Sequence, residues 1–151
     1  MVYFQAMQRS IDKAVELIDS ITDNMQFDNV REILFDAIVA VIHLAGDIYP
    51  RIKDCSAWSK CDEEKEFFLA FIYLNNQIKH DLALEMFYYE VYCSSFPAQF
   101  PFRLGQPGVV WADFPDHGKS REAKREYYDR FLKHKDVKES LKRLNDLLKN
   151  V

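Results

Sequence analysis

The stretch from Glu63 to Tyr92 reads EEKEFFLAFIYLNNQIKHDLALEMFYYEVY. It holds neither Gly nor Pro, and Phe67, Phe71, Leu74, Ile78, Leu82, Met86 and Tyr89 recur at steps of three and four, the period of an α-helix. The spacing predicts one continuous helix about 45 Å long, enough to cross a small domain as the central rod of a bundle. Asp62, Glu63 and Glu64 suit its N-terminus, where carboxylates meet the partial positive charge of unbonded N–H groups, with Asp62 as the cap. At the midpoint the apolar run is broken by Leu74-Asn75-Asn76-Gln77-Ile78-Lys79-His80-Asp81. That polar centre would be costly to desolvate in lipid, so the stretch is not a membrane span.

Before this rod, Ile11, Val15, Ile18 and Ile21 or Thr22 form a helical stripe, which predicts a first helix from Gln8 to about Asp23. Thr22 to Asp28 reads as a turn, with Asp28 capping a second helix over Asn29 to Tyr49 that Pro50 stops. Its apolar face is broad: Val30, Ile33, Leu34, Ala37, Ile38, Val41, Ile42, Ala45 and Ile48. Arg51 to Cys61 is a polar loop with Trp58 as a plug over the bundle end. After Tyr92 come the remaining four prolines and most of the glycines. Phe100–Leu104 and Val109–Ala112, on either side of Gly105-Gln106-Pro107-Gly108, predict a β-hairpin within an insertion over residues 96–117. An isolated hairpin is marginal in water, so it should lean on the helices through Phe96, Phe100, Phe102 and Trp111. Helix resumes near Ser120 and runs through Leu132, breaks at His134-Lys135-Asp136, and ends with a helix carrying Val137, Leu141, Leu144, Leu147 and Leu148. The fold class read from this pattern is mainly α: an antiparallel helical bundle of four to five helices with a short β-hairpin insertion before the C-terminal helices.

At 151 residues the natural reading is a single domain over 1–151. Residues 1–6 resemble the end of a protease-cleavable tag in Tyr3-Phe4-Gln5-Ala6. The formal net charge of −4 argues against a general nucleic-acid coat, but it is unevenly spread. Gly118 to Val151 holds 11 Lys+Arg against 6 Asp+Glu, net +5, whereas the first 117 residues hold 9 against 18, net −9. Such a basic tail serves an anionic ligand or packs against the acidic body. Three cysteines, Cys55, Cys61 and Cys93, match no common zinc spacing and read as free thiols of a cytoplasmic protein. No signal peptide, lipidation motif or membrane segment is recognised, and no membrane partner is expected.

Chemistry concentrates in the polar centre of the rod. Residues four apart share a helix face, so Asn76 and His80 project together, bordered by Tyr73, and Asn75 pairs with Lys79 one position around. Together they offer an imidazole able to exchange a proton near neutral pH, two amides, and an ammonium able to hold a phosphate. That set suits metal-free RNA cleavage, in which the ribose 2′-hydroxyl attacks its own phosphate. The same residues equally suit a satisfied polar node between packed helices.

The run Leu74 to Asp81 resembles the signature of the HEPN (higher eukaryote and prokaryote nucleotide-binding) superfamily: an Arg, commonly followed by Asn or another polar residue, then a His after a short spacer. His80 matches the His, Asn76 the polar second position, and four residues lie between Asn75 and His80. Asn75 stands where the family has Arg, so the fixed positive charge on the scissile phosphate is missing there, and Lys79 is the nearest substitute. The resemblance implies a helical bundle, commonly dimeric, whose active members are metal-independent ribonucleases of toxin–antitoxin, abortive-infection and phage-defence systems. It further implies catalytic His80, Asn76 and Asn75, with Lys79 and Tyr73 on the substrate side and the site assembled across a homodimer.

Secondary candidates are His43 and Asp47, one turn apart on the second helix, where a carboxylate can orient an imidazole. With antiparallel neighbours, His43 or Asp36 would approach His80. No Glu-x-x-His pair, phosphate-binding glycine loop or nucleophile elbow is present, so neither a metal nor a cofactor is expected. The aromatic residues Phe87, Tyr88, Tyr89, Tyr92 and Trp111 suit base stacking or, at helical spacing, the core. Two functions follow: an RNA-binding or RNA-cleaving protein, or a non-catalytic interaction module in which the hairpin and the basic helices contact a protein partner.

Overall fold

The structure is a computed structural model and describes residues 2–55, 62–80, 87–90, 108–112 and 123–150. It is mainly helical: α1 (Val2–Asp19), α2 (Asn24–Ile52), α3 (Asp62–His80), β1 (Phe87–Glu90), β2 (Gly108–Trp111), α4 (Ala123–Phe131) and α5 (Val137–Lys149). The helices form a bundle around one hydrophobic core, with the short strand pair set before the last two helices.

Neighbouring helices run antiparallel, and cross-helix contacts fix the register. Arg51 near the end of α2 lies over the Tyr3 ring at the start of α1, 4.6 Å from its centroid. Between α2 and α3, His43 meets Asn75, and the Tyr49 ring stacks on Phe68 with centroids 6.1 Å apart. Between α3 and α4, Tyr73 meets Tyr128 at 5.5 Å and Phe67 meets Phe131 at 6.0 Å. α5 crosses behind, packing on α1 and on β2.

Each helix buries its apolar stripe, the largest driving force available to it. Met7, Ile11, Ala14 and Ile18 are the buried face of α1, and Val137, Leu141, Leu144 and Leu147 that of α5. α2 buries Leu34, Ala37, Ile38, Val41, Ile42, Ala45 and Ile48, while Ile33 is 49% exposed. α2 is also long and apolar enough, by length and composition, to cross a membrane. Its most apolar window is 44% buried inside the bundle.

Several boundaries differ from the sequence reading. α1 begins at Val2, and Phe4 packs on the core, so residues 2–6 are part of a helix. α2 starts at Asn24 because Asp23, not Asp28, is the cap: in extended backbone, its carboxylate accepts the Gln26 N–H at 2.7 Å. The earlier start lets Phe27 join the core. Pro50 does not stop α2, which runs to Ile52. The lost N–H bond to the Gly46 carbonyl is a local cost, outweighed by burial of Ile48 and Ile52 on either side.

The largest correction concerns the central rod. α3 is described to His80, and Phe87–Glu90, expected to continue it, is a strand. Three consecutive aromatic residues fit a pleated backbone better than their helical spacing suggests. The longest described helix is therefore α2, of 29 residues, against 19 for α3. β2 lies where a strand was expected, but its antiparallel partner is β1, with Phe87 opposite Trp111 and Glu90 opposite Gly108. Phe100–Leu104, Phe96, Trp58, Cys61 and Cys93 lie outside the described residues.

β2 is bolted to the turn between α4 and α5. Trp111 N–H donates to the Lys135 carbonyl at 3.1 Å, and His134 N–H donates to the Trp111 carbonyl at 2.8 Å. The turn needs His134 in the left-handed region, φ 60°. The Trp111 indole is fully buried: its Nε1–H donates to Ser140 Oγ at 3.0 Å, and that hydroxyl donates to the Asp136 carbonyl at 2.9 Å. The indole ring stands edge-on to Phe71 at 5.9 Å, and the Tyr128 hydroxyl donates to the Ala112 carbonyl.

Candidate functional site

The polar run occupies the last two turns of α3. Asn75 is 5% exposed, one of two buried polar residues among those described. A buried amide needs hydrogen-bond partners, and α2 supplies one. His43 Nδ1 and Asn75 Oδ1 are 2.9 Å apart. An amide oxygen only accepts, so Nδ1 carries the proton and Nε2 is the ring nitrogen left for proton exchange. His43 itself is exposed, so the pair is a fixed amide at the seam of α2 and α3 holding an imidazole at the surface.

Gly46 makes this approach possible. A Cβ built there would stand 2.2 Å from Asn75 Nδ2 and 3.0 Å from its Cγ, so the carboxamide would have to shift. Only glycine lets the carboxamide lie against the α2 backbone. Gly46 is three positions from His43, on the same helix face, so ring and backbone grip the amide from one side. The sequence reading did not single out Gly46. A lone glycine inside an otherwise uninterrupted helical pattern is the signal that finds it.

The remaining candidates are distributed as follows. Asn76 is half-buried in the same turn as Asn75. Lys79 and His80 belong to the final turn of α3, but their side chains lie outside the described residues. Tyr73 faces α4: its ring is buried beside Tyr128, and its hydroxyl accepts from Arg125 Nη1 at 3.3 Å. It is not brought to the His43–Asn75 pair. Asp47 is exposed on α2, and the His43 ring is oriented by Asn75 across the helix seam, not by this carboxylate one turn away. Asp36 is exposed on α2 as well, and His134 is exposed in its turn. His117 lies outside the described residues. No group of three or more His, Cys, Asp or Glu among the described residues is placed to hold a metal ion.

Three cations of the basic C-terminal segment pair with the acidic body. Arg130 pairs with Glu66 at 2.9 Å, Arg143 with Glu63 at 3.3 Å, and Lys138 with Asp19. Arg143 also lies over Phe67, 4.3 Å from the ring centroid, and Arg130 over Phe131 at 4.7 Å. These groups rim a depression of about 430 Å³. It sits by Phe67 in the first half of α3, about 12 Å along the helix from Asn75. Its arginines are already matched to carboxylates, so it is a poor competitor for an anion.

No family model matches the chain, and neither the curated proteins nor the solved structures contain a match to it.

Proposed function

We propose that the chain is a HEPN-like helical protein that binds RNA and cleaves it without a metal ion, at the seam of α2 and α3. The observation that carries this reading is the 2.9 Å bond from His43 to Asn75. It brings an exposed imidazole to the residue at the first position of the signature that ends in His80. Two imidazoles suffice for the reaction. One takes the proton of a ribose 2′-hydroxyl as its oxygen bonds to the adjacent phosphorus, and the other gives a proton to the departing 5′-oxygen. Lys79 supplies the positive charge on the phosphate that Arg supplies in the family, and Asn76 orients the backbone. A homodimer that pairs two such sites, and a role in toxin–antitoxin or phage-defence systems, belong to the same proposal. So does a cytoplasmic setting, in keeping with the free thiol of Cys55.

The test is incubation of the purified chain with end-labelled RNA in the presence of a chelator, beside His80→Ala and His43→Gln. Cleavage by the parent protein that both folded variants lose supports the proposal. Absence of cleavage, or cleavage unchanged in both variants, refutes it.

A second reading, a non-catalytic interaction module, is favoured by one observation: Asn75 is buried and engaged, not presented to a ligand. In that case the polar run is a helix-pairing node, and an intact, folded protein leaves RNA untouched.

A further inference from the structure

We infer that Asn75 is a positioning residue: it locks the His43 imidazole in the Nδ1–H tautomer and turns Nε2 outward as the nitrogen that meets a ligand. The inference deepens, and for its functional consequence rests on, the reading of the α2–α3 seam as the reactive site.

The ring and the amide oxygen are 2.9 Å apart, and one of the two atoms must carry a proton. Carboxamide oxygen cannot, so Nδ1 does. An imidazole in water favours the opposite form, with the proton on Nε2, so the bond selects the less common tautomer. The partner is also the rigid member of the pair. Asn75 is 5% exposed and wedged against Gly46, where a Cβ would fall 2.2 Å from Nδ2. Its amide therefore cannot swing out with the ring, and an otherwise mobile surface side chain is held by a fixed acceptor. Reversing the amide would turn Nδ2 toward the ring and force the proton onto Nε2. The inference thus stands or falls on an observable state of one ring. Asp47 is exposed one turn along α2.

The experiment is a two-bond ¹H–¹⁵N correlation spectrum of the full-length ¹⁵N-labelled protein, at an alkaline pH where imidazoles are neutral. The His43 pattern is assigned by its loss in His43→Gln. The expected result is a protonated, pyrrole-type Nδ1 and an unprotonated, pyridine-type Nε2. Asn75→Leu, which keeps the branched heavy-atom shape in a larger side chain but removes the acceptor, should move the ring to Nε2–H. Asn75→Asp, which keeps an oxygen in place, should retain a protonated Nδ1. A wild-type ring with its proton on Nε2, or an Asn75→Leu ring that stays Nδ1–H, overturns the inference. Should Asn75→Leu fail to fold, the wild-type and Asn75→Asp spectra decide the question. These spectra contain no RNA, so the two ideas fail separately. The expected tautomer without cleavage sinks the ribonuclease reading alone, and cleavage with the other tautomer sinks the positioning role alone.

Discussion

His43 and Asn75, 32 positions apart in the chain, meet at 2.9 Å across the seam of α2 and α3, the first exposed and the second 5% exposed. The asymmetry sets their energetics. If the bond is removed from the Asn75 side, His43 can rehydrate, while a buried amide disappears. Asn75→Leu should therefore lose about 1 kcal/mol with the bond, and about 1–3 kcal/mol more where the larger side chain crowds Gly46, in denaturant unfolding. A loss well beyond that would make Asn75 chiefly a structural tie.

Gly46→Ala should behave differently. Alanine in a helix interior gains about 1 kcal/mol over glycine. The new Cβ would however fall 2.2 Å from Asn75 Nδ2, and overpacking of that kind costs about 1–3 kcal/mol. The expected outcome is a net loss of stability together with rupture of the His43–Asn75 bond. It is measured by the unfolding midpoint and by the His43 ring resonances. A stabilised variant with unchanged resonances would contradict the close approach.

Trp111 is the keystone between the strand pair and α5. Trp111→Ala removes a fully buried indole and leaves Ser140 Oγ without its donor, so a loss of about 3–5 kcal/mol is expected. Trp111→Phe keeps most of the ring and forfeits mainly the hydrogen bond. It should cost far less and leave the transition cooperative.

The turn before α5 holds His134 at φ 60°, a region that costs a residue with a side chain about 1–2 kcal/mol. The side chain is exposed, and the bond to Trp111 uses the backbone N–H, which glycine retains. His134→Gly should therefore raise the unfolding midpoint slightly.

Glu66→Gln breaks the pair with Arg130, whose side chain is 57% exposed. At that exposure solvent screens most of the attraction, so the loss should stay below about 1 kcal/mol and shrink in high salt. The C-terminal helices are held by Tyr128, Leu132, Leu141 and Leu144 in the core.

What the sequence made legible was periodic and local. The stripes of α1, α2 and α5 read correctly because their apolar positions repeat every three to four residues and all but a few are buried. The break at His134 to Asp136 read correctly too, and Asp136 caps α5 by accepting the Lys138 N–H at 2.9 Å. Where two local signals competed, the wrong one could win. Asp23 and Asp28 are both good caps, and only the burial of Phe27 separates them. Phe87 to Glu90 continued a helical spacing, yet pairs as a strand with residues about twenty positions away, a partner no local pattern reveals. The candidate site divides in the same way. Its residue types were visible in α3, and His43 stood out on α2. Their joining through Asn75 depended on a glycine whose role is tertiary.

If an imidazole-driven, metal-free transfer occurs at this seam, as proposed, the chemistry of the RNA ends reports it. In the presence of a chelator, attack by the 2′-hydroxyl leaves a 2′,3′-cyclic phosphate on one fragment and a 5′-hydroxyl on the other. Those ends are expected from the parent protein, and their loss in His43→Gln. Intact RNA, or fragments with 3′-hydroxyl and 5′-phosphate ends produced by direct attack of water, would contradict it.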